Sequence, residues 1–179
     1  PFMWVLAALT MTIGNLVALK QTNIVRMLAY SSVSQGGFIL MPLAVAFTNG
    51  NQGASLRAVM VYLIIYAATN LGAFAVVIAV SRKTRSGEIS SFGGLFQYAP
   101  GLTVMMTIFL ASLAGIPPLG GWYAKFGAFR AAVDAGGGWG YSIAIIGAAN
   151  AVVATAYYIT VMREMWMKPV PDGDTTPIK

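Results

Sequence analysis

Lys125 is the residue of this chain that most invites chemistry. It follows a run of helix breakers inside an apolar stretch, Phe109-Leu-Ala-Ser-Leu-Ala-Gly-Ile-Pro-Pro-Leu-Gly-Gly-Trp-Tyr-Ala-Lys125-Phe. A lysine at the centre of a bilayer costs about 2.5–3.5 kcal/mol even on insertion scales, so an ionisable group there marks a functional site. Its surroundings set how tightly such an amine holds a proton, and the cargo it implies is a proton or cation. The acids Glu88, Asp134, Glu164, Asp172 and Asp174 all fall in or near expected loops. A charge partner therefore has to come from another segment or subunit. The alternative is a lysine that snorkels to the interface.

Polar residues recur along the other apolar stretches. Ser31, Ser32, Ser34 and Gln35 open the second; Thr69 and Asn70 sit in the middle of the third; Asn15 lies in the first, and Asn150 and Thr155 in the fifth. Singly, each reads as an interhelical hydrogen bond worth under about 1 kcal/mol. Together they suit a hydrated interior that holds water on a proton path. Lys20 and Arg26 flank Gln21-Thr22-Asn23, either as charges that orient a turn or with Lys20 at the mouth of that path. With no His and no Cys, haem and iron–sulfur ligation and ordinary zinc sites are excluded. Neither a phosphate loop nor a nucleophile triad is present.

These residues must be positioned by membrane helices. The chain of 179 residues is 58% hydrophobic and 9% charged, against about 25% charged in soluble domains. The net charge of +6 reads as loop orientation rather than nucleic-acid binding. Five segments approach the roughly 20 apolar residues of a span: 1–19, 27–47, 58–80, 102–133 and 141–166. The fourth would measure about 45 Å as a straight helix, too long for a core of about 30 Å. Its centre, 115–121, offers Gly115, Pro117, Pro118, Gly120 and Gly121 as a hinge, since proline removes a backbone donor. Two half-helices are expected, with the link in the protein interior.

Basic residues fall in alternate loops: Lys20 and Arg26, then Arg82, Lys83 and Arg85, then Arg163, Lys168 and Lys179; the opposite loops carry Arg57 and Arg130. The positive-inside rule places the first set and the tail 169–179 in the cytoplasm. Trp4, Trp139, Trp166 and Tyr98 lie near expected span ends, and Trp122 lies beside the break. The chain begins at Pro1, already apolar at residue 2, and reads as an internal piece of a longer protein. The expected fold is all-α and polytopic. Residues 1–168 form a membrane unit matching one half of an inverted-repeat transporter.

Two stretches resemble a known family. Gly14-Asn-Leu-Val-Ala-Leu-Lys20-Gln-Thr-Asn-Ile-Val-Arg26-Met-Leu-Ala-Tyr-Ser-Ser32-Val-Ser-Gln-Gly-Gly37 is similar to the signature of the antiporter-like membrane subunits of respiratory complex I (NADH-quinone oxidoreductase). Ser112 to Phe126 resembles their broken helix with its essential lysine, and the N-type is the best match. The resemblance implies five of fourteen helices, the second inverted repeat, with Lys125 ending a proton half-channel that opens outward. It implies a proton-translocating subunit of an oxidoreductase in a bacterial inner membrane, with no redox chemistry or cofactor in this chain. NADH, flavin, iron–sulfur clusters and quinone would sit elsewhere in the complex. Partners would be other complex I membrane subunits and lipid, and no nucleic acid. Two positions depart: Val25 stands where the family often has Lys, and Gln35 where it often has His. A subunit of a multisubunit cation/proton antiporter or membrane hydrogenase, and a non-transporting scaffold, are the alternatives.

Overall fold

Proline, glycine and one asparagine decide where the helices start and stop. The computed structural model describes residues 1–47 and 52–178. Within them the chain forms α1 (Phe2–Ala18), α2 (Ile24–Ala44), α3 (Gln52–Thr84), a 3-10 turn (Ile89–Phe92), α4 (Leu95–Tyr98), α5 (Pro100–Ala114), α6 (Gly120–Ala135) and α7 (Gly137–Met167). Asn23 caps α2, its Oδ1 accepting from the amides of Val25 at 3.1 Å and Arg26 at 3.2 Å, which satisfies two of the orphan donors of a helix start. Pro100 occupies the first position of α5, where its missing N–H costs nothing. α2 starts three residues before the sequence suggested, because that cap lies in the turn itself. α3 likewise overruns 58–80 in both directions: polar residues at its ends are compatible with helix, which hydropathy alone does not reveal. α3 and α7 are each long and apolar enough to cross a membrane; α1 and α5 are apolar but shorter.

The basic segments gather at one end of the bundle. The α1–α2 turn is tied to the segment after α3 by Ile24 N–H to the Gly87 carbonyl at 2.8 Å and Ile89 N–H to the Thr22 carbonyl at 2.7 Å. Gly94 N–H donates to the Glu164 carbonyl of α7 at 3.1 Å. Lys83 holds the tail, its Nζ donating to the carbonyls of Asp174 and Thr176, and lies over the Tyr98 ring at 3.9 Å. Lys179 lies outside the described residues. At the other end Trp4 Nε1 donates to the Trp139 carbonyl at 2.9 Å, and the two rings meet edge to face. Arg57 and Arg130 line a cleft between α3 and α6 there.

Two apolar cores follow one another along the bundle. Near the basic end Leu28, Val77, Phe92, Met106, Leu110 and Tyr158 pack together. Toward the tryptophans Met11, Phe38, Met41, Tyr62, Ala128 and Ile143 do so. α1 and α2 approach closely: a Cβ on Gly14 would lie 2.6 Å from the Ser34 amide nitrogen, and one on Gly37 2.6 Å from that of Met11. Small residues that let backbones meet are the usual means of packing apolar helices without a hydrophobic drive. The junction of the two cores is where the polar residues collect.

Candidate functional site

The site is built around the end of α5. Helical continuation would pair the Leu113 and Ala114 carbonyls with the amides four residues on, which are Pro117 and Pro118 and have no N–H. The chain turns instead. Gly115 takes the left-handed conformation at φ 91°, which glycine adopts without steric cost. Its N–H donates to the Ser112 carbonyl at 2.9 Å, and Ile116 N–H returns to the Ala111 carbonyl at 3.0 Å, a Schellman turn.

A helix end leaves four carbonyls unpaired. The turn serves Ala111 and Ser112, and Lys125 serves the other two. Its Nζ donates to Leu113 at 2.8 Å and to Ala114 at 3.0 Å. The two donors deleted by the prolines are thus restored by one ammonium from the second half-helix. α6 starts alongside, with Gly121 N–H donating to Ser112 Oγ at 3.0 Å. A Cβ on Gly121 would lie 1.8 Å from the Ser112 carbonyl oxygen, so this approach requires glycine. Lys125 is 4% exposed and does not snorkel. Its ammonium also lies 4.8 Å from the centre of the Phe38 ring, within cation–π range.

Gln35 ties the other helices to this point. Its Nε2 donates to the same Leu113 carbonyl at 3.0 Å and to Tyr158 Oη at 3.3 Å, while its Oε1 accepts from Tyr62 Oη at 2.6 Å. Tyr158 in turn shares a hydrogen bond with Ser31 Oγ. Between α2, α3, α5 and α6 lies a cavity of about 10 Å³, lined by Gln35, Tyr62, Tyr66, Thr69, Ser112 and Lys125 among others. That is about the minimum for one water, and the lining is polar enough to hold it.

The structure thus brings Gln35, Thr69, Gly115, Gly121 and Lys125 together. Thr69 also bonds back to the Ile65 carbonyl at 2.7 Å. Asn70 is half-buried and outside the cavity lining. Ser34 Oγ is buried without a hydrogen-bond partner, where α2 meets α1. Lys20 and Arg26 are exposed at the basic end, and neither contacts the Lys125 cluster. Ile116, Pro117, Pro118 and Gly120 are exposed on the surface of this chain. The turn's own amides pair with the Ala111, Ser112 and Ile116 carbonyls, while Leu113 and Ala114 turn to the interior. Tyr62, Tyr66, Tyr158 and Ser112 went unnoticed in the sequence. A mid-span tyrosine is the signal that could have found three of them, since a buried phenol needs a polar partner.

A second polar cluster joins α1 to α7. Asn15 Nδ2 donates to the Asn150 carbonyl at 2.9 Å and to its Oδ1 at 3.0 Å, and Asn150 Nδ2 donates to Thr12 Oγ1 at 3.2 Å. Tyr157 Oη donates to Asn15 Oδ1 at 3.0 Å. Among the described residues no three His, Cys, Asp or Glu side chains come together as metal ligands.

Comparison with known proteins places this geometry. Residues 1–150 match the family model described as NADH:quinone oxidoreductase/Mrp antiporter, TM. The chain is 40% identical over 175 residues to NADH-quinone oxidoreductase subunit N 2 of Sorangium cellulosum, covering 97% of this chain and 34% of that protein. A chain of respiratory complex I from Thermus thermophilus with bound aureothin superposes with a TM-score of 0.74 at 27% identity, covering 98% of this chain and 37% of that one. A chain of the Mrp complex from a Dietzia species gives 0.86 at 26% identity, covering 98% and 32%. The chain thus spans about a third of the length of the relatives it matches.

Proposed function

Because this chain belongs to the NADH:quinone oxidoreductase/Mrp antiporter transmembrane family, we propose that it is part of a proton-translocating membrane subunit of NADH-quinone oxidoreductase in which Lys125 carries the proton. The observation that carries this reading is the Lys125 ammonium, buried at a helix break and held by two backbone carbonyls. Among the described residues it makes no ion pair. A cation held only by neutral oxygens has a proton affinity that a nearby charge can change strongly.

In this reading the chain contributes five spans: α1, α2, α3, the broken pair α5–α6, and α7. They form one half of an inverted-repeat fold over residues 1–168, followed by the tail 169–179. The clustering of basic segments at one end supports a cytoplasmic face there, in a bacterial inner membrane. Oxidation of NADH and reduction of quinone occur in other subunits, which hold the flavin and iron–sulfur clusters. Their energy arrives as a conformational and electrostatic change passed through neighbouring membrane subunits. Lys125 then loads from the hydrated interior, where Gln35, Thr69 and Asn70 are candidates to hold water, and discharges outward. Lys20 and Arg26 serve topology or the mouth of the path. Moving one charge through 100 mV requires about 2.3 kcal/mol, the scale by which the site has to alter the amine's hold on its proton.

Lys125→Ala in the assembled complex tests this. Quinone reduction should continue while proton translocation falls; undiminished translocation at a normal rate of quinone reduction refutes the role. The higher superposition score with the Mrp complex chain favours a second reading, a subunit of a multisubunit cation/proton antiporter. Co-purification separates the two, because a complex I subunit brings flavin and iron–sulfur proteins with it.

A further inference from the structure

The last four carbonyls of α5 fall into two pairs with different fates. Ala111 and Ser112 are closed by amides of the turn and stay closed whatever the side chains do. Leu113 and Ala114 depend on one side chain, about a turn into the next half-helix. Leu113 has a second donor in Gln35. For Ala114, among the described residues, Lys125 is the donor. The ammonium also sits at the negative end of the α5 dipole, where a positive charge is favoured. Hydrogen bonds from a charged donor are roughly twice as strong as neutral ones. A carbonyl left unpaired at membrane depth is costly.

From this division we infer that the Lys125 ammonium clasps the two half-helices together. Arrival of its proton tightens the junction from Leu113 to Gly121, and departure loosens it, beginning at Ala114. The clasp follows from geometry; its switching rests on the proton-carrier reading above. The clasp and the proton site are the same atom, so proton movement and backbone movement are coupled without a separate sensor. The groups facing the ammonium are Gln35 and Phe38 from α2, Tyr62, Tyr66 and Thr69 from α3, and Ser112 with the two carbonyls from α5. Tyr158 of α7 lies behind Gln35. The titratable side chains among them are the tyrosines.

Amide hydrogen exchange in the intact complex, read on peptides covering residues 113–124, tests the clasp. Lys125→Met keeps the length and removes the donors; exchange there should rise roughly tenfold or more, as expected for one lost charge-assisted bond, while the α1–α2 turn stays unchanged. Lys125→Arg keeps charge and donors, so it should retain protection and still lose proton translocation. Unchanged protection in Lys125→Met, or a loss in Lys125→Arg as large as that in Lys125→Met, overturns the inference. An arginine variant that still translocates protons sinks the carrier reading and leaves the clasp standing.

Discussion

Two buried polar clusters sit in neighbouring parts of this bundle and solve the same problem differently. At the α1–α7 seam, Asn15, Asn150, Thr12 and Tyr157 satisfy one another with neutral side chains on unbroken helices. At the α5–α6 break, one ammonium satisfies backbone carbonyls that two prolines have stripped of partners. The first cluster is complete whatever the pH and joins two helices side by side. The second depends on a group that can lose a proton and joins two consecutive half-helices, α5 and α6. Interior polarity by itself therefore does not mark a transport site. What sets the break apart is a titratable donor facing backbone carbonyls, one of which, Ala114, has no other donor among the described residues.

The comparison can be broken in several ways. Replacement of Gly121 by Val should have the largest effect. Its side chain would collide with the Ser112 carbonyl, destabilising the subunit by at least about 3 kcal/mol, and the measure is its abundance in the assembled complex. Lys125→Ala should lower translocation and also cost about 1–3 kcal/mol for the Ala114 carbonyl it orphans, whereas Asn15→Leu should cost about 1–2 kcal/mol with protons moved per electron unchanged. A translocation defect in Asn15→Leu, with assembly intact, would erase the distinction between the clusters. Gln35→Leu should fall between them: Leu113 keeps Lys125, but Tyr62 and Tyr158 lose a partner, and translocation should drop in part. At the basic end the effect is smallest. Asp174 is held below the ordinary carboxylate range by the Thr176 amide and hydroxyl, with Lys83 adding to the pull. Its contribution is therefore present above the unfolded value of about 3.9 and lost as pH falls through the lower folded value. Limited proteolysis of residues 169–178 should be flat from pH 5 to 8 and rise only in stronger acid.

Much of this was legible in the residues. A lysine one turn past Gly-Ile-Pro-Pro-Leu-Gly-Gly in an apolar stretch announces a broken helix with a charge beside it, because proline deletes donors and hydrocarbon supplies none. Boundaries were less legible. α3 runs from Gln52 to Thr84, since helix persists beyond the apolar window wherever no residue breaks it. Lys20 and Arg26 could not be assigned from spacing, and the fold leaves them exposed at the end where the basic segments meet.

Composition and local order determined that the chain is helical, that it suits a bilayer, and where the Pro117–Pro118 break falls. Those are consequences of short-range chemistry: apolar run length, missing amides, and a glycine at a positive φ. Tertiary structure decided which oxygens Lys125 holds, that Gln35 shares one of them, and that tyrosines from α3 and α7 close around that amide. Such contacts join residues that are distant along the chain, up to 123 positions for Gln35 and Tyr158. No local rule reaches so far; only the packing of whole helices brings those groups within hydrogen-bond distance.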